Sequence, residues 1–144
     1  MITETVKALS IKQPYASLML HGKIETRNWY TDYRGLVMIC ASKQPFGLYD
    51  IERISGLRQV ERITDLMPGY FNTAPVAKAI AVGNLIQCRP MVKEDEDACF
   101  VRWRDELWCW VFDEVRPIKP FDWKGQLGLT ELGQHIKDKI EYID

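Results

Sequence analysis

The sequence has little that marks a metal-binding or disulfide-stabilised protein. Its four cysteines, Cys40, Cys88, Cys99 and Cys109, form no CxxC pair and have no histidine at zinc-finger spacing. Neither a zinc site nor a disulfide framework is therefore indicated. We expect the cysteines to be buried small hydrophobic residues, with Cys99 in "DEDACF" as the one candidate for exposure. We predict no metal and no cofactor.

Long apolar runs and a secretion signal are also missing. No segment approaches the roughly 20 consecutive apolar residues that a membrane span needs. The N-terminal "MITETVKALSI" lacks a basic start, an apolar stretch and a small-residue cleavage site. We therefore expect a cytoplasmic protein with no membrane partner. With 144 residues, 47% of them hydrophobic and 27% charged, the chain is predicted to form a single domain over 1–144.

An overall excess of one charge is missing too, since the net charge is −1. The charges are nevertheless uneven along the chain. Residues 1–43 hold three more cationic than acidic side chains, whereas residues 91–114 hold five more acidic than cationic ones. The N-terminal third could form a basic face, or its charges could be ordinary solvated ones. The acidic segment 93–106 suggests a further alternative, a surface that binds a partner protein.

Hydrophobic periodicity and chain breakers predict a mixed α+β fold. Strands are expected at 6–11, 35–42, 76–91 and 107–118, with short ones after Gly22 and near 129. Helices are expected at 14–22, 44–68, 93–103 and 130–144, and a loop at 69–75. The helical region 44–68 is interrupted near Ser55 and Gly56, and Gly83 suggests a bulge. Five or six strands of this kind favour a small, partly open barrel decorated by several helices.

The stretch "HGKIETRNWYTDYRG" (21–35) has a dense pattern of charged and aromatic side chains. On a strand that begins after Gly22, alternate side chains point to the same face. These are Lys23, Glu25, Arg27 and Trp29. Same-face neighbours lie roughly 7 Å apart, so the two cations are close enough to lower the pKa of Glu25. A general base near neutral pH needs a raised pKa instead. We therefore expect Glu25 to organise Lys23 and Arg27.

Aromatic residues and another cation follow at once, with Tyr30, Tyr33 and Arg34 after Trp29. Cations for phosphate and flat rings for bases are what single-stranded nucleic acid prefers. The alternative is a structural Lys–Glu–Arg pairing beside core aromatics, and the residues alone leave both open. Ser42 and Lys43 end the predicted strand 35–42, where a barrel rim would face a ligand.

Three pieces of the sequence carry a resemblance to a known family. They are "ALSIKQPYASLMLHGKIETRNWYTDYRGLVMICASK" (8–43), "KAIAVGNLIQC" (78–88) and "KGQLGL" (124–129). The first combines a Gln-Pro-aromatic-Ala-Ser helix, a Gly…Lys…Glu-x-Arg pattern and Trp-x-Thr-x-x-Arg-Gly before a strand. In order and spacing these pieces resemble the ASCH domain, the activating-signal-cointegrator homology module of the PUA-like superfamily.

The resemblance implies a PUA-like mixed pseudobarrel with a basic, aromatic-edged cleft. That cleft is expected to bind RNA, single-stranded nucleic acid or a modified nucleoside. The candidate ligand-binding residues are Lys23, Glu25, Arg27, Trp29, Arg34, Ser42 and Lys43.

A bacterial branch of the family implies an alternative function. That branch hydrolyses N4-acetylcytidine with a lysine, a threonine nucleophile and a distal glutamate, so the chain could be an amidohydrolase acting on acylated nucleosides. Its catalytic candidates would be Lys23 and Glu25, and no motif decides whether Glu94 or Glu96 matches the distal glutamate. The question of enzyme activity stays open at this point, with binding favoured.

The spacing of this chain departs from the family pattern. The usual arrangement is G-x-K-x-x-E-x-R, whereas Gly22-Lys23-Ile24-Glu25-Thr26-Arg27 is two residues shorter. A match on the arginine puts Glu25 where the branch has its threonine, and alternation puts Thr26 on the opposite face. A carboxylate held between two cations is a weakened nucleophile. The departure therefore favours binding over catalysis.

Overall fold

One curled six-stranded sheet forms the framework of the protein. The computed structural model describes residues 1–143, apart from the side chains of residues 71 and 72. The strands are β1 (Val6–Ile11), β2 (Glu25–Arg27), β3 (Gly35–Ala41), β4 (Lys78–Pro90), β5 (Trp108–Asp122) and β6 (Thr130–Glu131). Their order in the sheet is β2-β5-β4-β3-β1-β6. Strands β1 and β3 are parallel, and the other neighbours are antiparallel.

Short helices and turns connect the strands. The helices are α1 (Tyr15–Leu18), α2 (Leu48–Ser55), α3 (Leu57–Leu66), α4 (Tyr70–Thr73), α5 (Glu96–Cys99) and α6 (Gln134–Lys137). A 3₁₀ turn at Met19–His21 extends α1, and another at Lys93–Asp95 precedes α5. Gly56, with φ of 85°, separates α2 from α3 where the sequence predicts the break. Within the described residues, no helix is both long enough and apolar enough to cross a bilayer.

The sheet is curved by irregular pairing of its two longest strands. Three register shifts interrupt the ladder between β4 and β5, and one of them brackets Gly83 between Val82 and Asn84. Such irregularities bend a strand and increase its twist. The sheet therefore curls into a half-barrel instead of staying flat, and the predicted α+β PUA-like barrel is confirmed.

Both faces of the sheet are covered by hydrophobic side chains. Along β1, Leu9 and Ile11 face the larger hydrophobic cluster, which also contains α1, whereas Val6 and Ala8 face a second cluster near the C-terminal segment. A strand buried on both faces reads as a nearly continuous apolar run. This explains why "GLVMICA" is a continuous apolar run, with Val37, Ile39 and Ala41 in the larger cluster and Met38 and Cys40 in the second.

The predicted C-terminal helix is much shorter than expected. Residues 130–144 were expected to be helical, but α6 spans Gln134–Lys137 only. The backbone N–H of Lys119 donates to the carbonyl of Glu141 at 2.8 Å, and Ile118 forms an isolated bridge with Tyr142. The end of the chain thus pairs with β5, and Ile140 and Tyr142 pack against the second hydrophobic cluster. A weakly amphipathic helix has no continuous apolar face to bury in this way.

Three smaller expectations are also corrected. The predicted loop 69–75 contains α4. The predicted acidic helix over 93–103 is one 3₁₀ turn and one helical turn, because Phe100 adopts a left-handed conformation with φ of 59°. Cys99 is buried and not exposed, with its sulfur 3.7 Å from that of Cys109. Burial raises the pKa of the Cys99 thiol, which makes it a poor nucleophile.

The close approach at Gly83 generates a first prediction. A Cβ at this position would lie 2.9 Å from Cγ2 of Val115 and 3.2 Å from Cδ2 of Phe112. Gly83→Ala should therefore lower the free energy of unfolding by roughly 1–3 kcal/mol through overpacking. Urea denaturation measures the change, with the exposed Gln87→Ala on the same strand as the control. Equal stability of the two variants would contradict this account.

Candidate functional site

A buried carboxylate joined to two cations forms the centre of the site. Glu25 Oε1 lies 2.7 Å from Lys23 Nζ, and Glu25 Oε2 lies 3.2 Å from Arg27 Nη2. The side chains of Lys23 and Glu25 are 1% and 7% exposed, whereas that of Arg27 is 25% exposed. The three residues predicted to share a face therefore converge. Arg27 presents the most surface to solvent.

Local backbone geometry places this triad. Gly22 ends the first helical segment with φ of 85°, a left-handed conformation that glycine adopts without strain. The N–H of Lys23 then donates to the carbonyl of Leu18 at 3.2 Å, which turns the chain toward β2. In β2, Glu25 lies opposite the buried Trp110 of β5. The pairing with β5 thus places the carboxylate inside the protein.

Arg27 also connects two strands that are not neighbours in the sheet. Its Nη2 donates to the carbonyl of Ser10 in β1 at 2.8 Å. Strand β6 pairs with β1 at Lys7 and Ala8. Ser10 lies further along β1, so Arg27 contacts a part of β1 that does not pair with β6. Its Nε is buried and has no hydrogen-bond partner within the described chain. Arg27 therefore spans the open side of the half-barrel and retains an unpaired donor.

The environment of Glu25 keeps it ionised. Burial acts to raise the pKa of Glu25, but the positive charges of Lys23 and Arg27 outweigh burial and lower it. The Lys23 ammonium also donates to the carbonyl of Ile24 at 3.0 Å and lies 5.4 Å from the centre of the Tyr15 ring. The predicted direction of the Glu25 pKa is confirmed. Glu25 therefore stays ionised between the two cations at neutral pH.

The triad borders a cleft with two lobes. The main cavity has a volume of about 650 Å³, and the second, adjoining one has about 330 Å³. Their cationic lining residues are Lys12, Lys23, Arg27, Arg53, Arg102 and Arg104. Among the described residues, Glu25 is the one carboxylate that lines either cavity. The cleft is therefore positively charged, because its cationic residues outnumber its carboxylate. That carboxylate is itself paired with two of the cations.

Two aromatic rings line the main cavity. Tyr15 and Phe46 meet edge to face with their ring centres 5.8 Å apart, and Lys12 Nζ lies 5.2 Å from the centre of the Phe46 ring. The Tyr15 hydroxyl is 2.5 Å from Ser55 Oγ, and burial raises the pKa of Tyr15 to about 12. Tyr15 is therefore both a buried core residue and part of the cavity wall.

The other predicted site residues are divided between the cleft and distant positions. Ser42 lines the main cavity, but Trp29, Arg34 and Lys43 line neither cavity. The Trp29 ring packs edge-on against Trp110, with 4.7 Å between ring centres. The guanidinium of Arg34 donates to main-chain carbonyls of its own loop at 2.9 and 2.7 Å. The Trp29 ring is thus partly buried against the core and lies outside both cavities.

Two assignments that bear on the hydrolase alternative also change. Thr26, expected on the opposite face, borders both cavities. Glu94 and Glu96 line neither cavity, and the carboxylate of Glu96 accepts a hydrogen bond from the N–H of Trp103 at 2.7 Å. Neither glutamate therefore corresponds to a distal catalytic carboxylate in the cleft.

Arg102 and Arg104 are cleft residues that sequence reasoning missed. Both lie in residues 91–114, where acidic residues are in excess. The net charge of that segment therefore does not indicate a cationic site. In the folded chain, Asp95 pairs with Arg89 at 2.8 Å and Asp97 pairs with Arg58 at 2.8 Å. These acids are used within the fold, which weakens the partner-binding alternative for segment 93–106. The arginines face the cleft instead.

Arg53 and the loop 125–128 complete the wall of the main cavity. Arg53 lies on α2, and no sequence signal orients it toward the cleft. The loop belongs to "KGQLGL", one of the pieces that resemble the ASCH domain, and this was the available signal. Across the part of the chain that the structure describes, no group of three or more histidine, cysteine or acidic side chains could hold a metal ion.

The buried triad generates a second prediction. Glu25→Gln removes the negative partner and leaves Lys23 buried without a counter-charge. This change should lower the free energy of unfolding by about 3–5 kcal/mol. Chemical denaturation measures it against Glu61→Gln, an exposed carboxylate on α3, which should change stability by less than about 0.5 kcal/mol.

The difference between Glu25→Gln and the natural chain should depend on pH. Because the pKa of Glu25 is lowered by folding, its contribution is present above the ordinary carboxyl pKa of about 4.3 and is lost as the pH falls through the lowered value. The stability gap between the two proteins should therefore narrow in acid. A gap that is constant from about pH 7 to pH 3 would show that ionisation of Glu25 is not its source.

Comparisons with known proteins show a likeness in sequence and a likeness in fold. No family model matches the chain. It is 27% identical over 104 residues to human activating signal cointegrator 1, an alignment that covers 65% of this chain and 18% of that protein. The chain thus spans less than a fifth of that relative's length. The crystal structure of a point mutant of ZmASCH from Zymomonas mobilis superposes with a TM-score of 0.57 at 12% identity, over 96% of this chain and all of the other. The sequence motifs, the human relative and the shared fold together show that the chain resembles ASCH-domain proteins.

Proposed function

We propose that this protein binds RNA or another single-stranded nucleic acid, or a modified nucleoside derived from it, in the two-lobed cleft. The observation that carries the proposal is the charge of the lining. In the part of the chain that the structure describes, six cationic side chains and one carboxylate border the cleft, and that carboxylate, Glu25, is paired with two of the cations. Phosphate groups supply the negative charge that such a surface attracts.

The outer cations are available to a ligand. Arg53 contacts Asp50 at 3.6 Å, and Arg104 contacts Glu106 at 3.8 Å, with all four side chains largely exposed. Exposed pairs of this kind contribute little stability. A phosphate that enters the cleft can therefore replace these carboxylates at little cost.

The main cavity also has features that suit a base. Its volume of about 650 Å³ falls within the range of small-molecule sites. Tyr15 and Phe46 supply aromatic surface on its wall, and the Arg27 side chain, which also lines it, is 25% exposed. Bases stack on aromatic rings and accept hydrogen bonds at their edges. In this proposal, Glu25 orients Lys23 and Arg27 and does not itself react.

The alternative, an amidohydrolase acting on N4-acetylcytidine, rests on Lys23 and Glu25 lying side by side at the cavity wall. The lowered pKa of Glu25 argues against it, because the carboxylate stays ionised between two cations and is a weak nucleophile. Incubation of the protein with N4-acetylcytidine, followed by chromatography for cytidine, tests it. Cytidine that forms with the natural chain and not with Lys23→Met would favour the hydrolase.

Binding of a short RNA should be strongly salt-dependent. If the cleft neutralises about three phosphates, a fourfold rise in salt should weaken binding by roughly tenfold to thirtyfold. Arg104→Ala should weaken binding and reduce this salt dependence, because it removes one phosphate contact. Fluorescence anisotropy with a labelled eight-nucleotide RNA measures both effects.

The matched control for Arg104→Ala is Lys119→Ala, which removes an exposed cation that lines neither cavity. It should leave the affinity within about twofold of the natural chain. If Arg104→Ala and Lys119→Ala have equal effects, attraction is spread over the surface and the cleft is not the binding site.

A further inference from the structure

The second lobe has its own set of lining residues. Beyond those it shares with the main cavity, it is bordered by Asn28, Arg102, Trp103 and Leu107. It therefore adds Arg102 and Trp103, which do not line the main cavity. This composition raises the question of what binds there when the main cavity is occupied.

Trp103 is exposed but held in a defined orientation. It is 41% exposed, although tryptophan is a large apolar residue that proteins usually cover. Its indole Nε1 donates to the carbonyl of Met91 at 3.0 Å, and its backbone N–H donates to the carboxylate of Glu96 at 2.7 Å. A flat ring with a fixed position and an open surface is a suitable platform for a nucleic-acid base.

Three guanidinium groups lie where the two lobes meet. Arg27, Arg53 and Arg104 border both cavities, together with Thr26, Ile54 and Val101. A ligand that occupies both lobes must cross this boundary. The group that connects two nucleotides is a negatively charged phosphodiester, and guanidinium groups bind phosphate oxygens well.

Arg102 provides a further cation on the far side of this boundary. Its backbone N–H donates to the carbonyl of Ile54 at 3.0 Å, which fixes the main chain beside α2. Its guanidinium lies against Gly56, where a Cβ would be 2.8 Å from Arg102 Nε. Within the described residues, the guanidinium forms no hydrogen bond or ion pair with a side chain, so it is available to a second phosphate.

We infer that the second lobe is a subsite for the neighbouring nucleotide of a single-stranded ligand. The base of that nucleotide stacks on Trp103, and the linking phosphate lies among Arg27, Arg53 and Arg104. The inference rests on the proposed function and makes it more specific. A dinucleotide step, not a free nucleoside, is the smallest ligand that fills the whole cleft.

Calorimetric titration of the whole chain with cytidine, cytidine 5′-monophosphate and the dinucleotide CpC tests the inference. CpC should bind about tenfold or more tightly than the mononucleotide, because it adds a stacked base. Trp103→Ala should remove most of that gain and leave cytidine binding within about twofold. Trp103→Phe, which keeps a flat ring, should retain most of the gain, and the deoxy dinucleotide shows whether the 2′-hydroxyl contributes.

The matched control is Tyr49→Ala, which removes an exposed aromatic ring that lines neither cavity and should change no affinity. Equal affinity for CpC and the mononucleotide would overturn the inference and leave the proposed function standing. An equal loss of cytidine and CpC binding in Trp103→Ala would overturn it as well. If neither these probes nor the eight-nucleotide RNA binds, the proposed function fails, and the subsite with it.

Discussion

The carboxylate of Glu25 is the group on which the geometry of the cleft depends. It lies inside the protein and holds Lys23 and Arg27 within hydrogen-bonding distance. Each of these cations would be costly to bury alone, and the shared carboxylate offsets that cost. Because Arg27 also contacts Ser10, the same interaction connects β2 to β1 across the open side of the sheet. Charge pairing and the closure of the half-barrel are thus one structural feature.

This arrangement divides the cations of the cleft into two groups with different tasks. The side chain of Lys23 is buried and forms an ion pair with Glu25, so it is part of the cavity wall. Little of its positive charge remains for a ligand. Arg53, Arg102 and Arg104 lie nearer the surface with weak partners or none among the described side chains. In the proposed function, the inner group preserves the shape of the cavity and the outer group attracts phosphate. A cleft built this way can lose an outer cation without losing its fold.

Part of this site could be predicted from the sequence. Alternation after Gly22 predicts that Lys23, Glu25 and Arg27 share a face, and the structure brings them together. The same rule placed Trp29 with them, but its ring packs against Trp110 because the interior offers an edge-to-face partner. Strand periodicity predicts the face of the strand on which a side chain lies. It does not predict which neighbouring residue on that face the side chain packs against.

Charge counts along the chain failed for a related reason. Arg102 and Arg104 lie among eight acidic residues in 91–114, which suggests an acidic surface. Asp95 and Asp97 are paired with arginines from other elements, and that pairing depends on contacts between distant parts of the chain. The local net charge therefore did not predict the charge of the surface that the segment helps to form.

Local sequence alone determined the breaks and the periodic elements, such as the left-handed turn at Gly22 and the interruption at Gly56. These features depend on backbone sterics within a few residues, which a sequence displays directly. Tertiary structure alone decided that the end of the chain pairs with β5 and that Trp103 borders a cleft beside Arg53. Such contacts join residues far apart in sequence, because burial and pairing are settled by the whole chain at once.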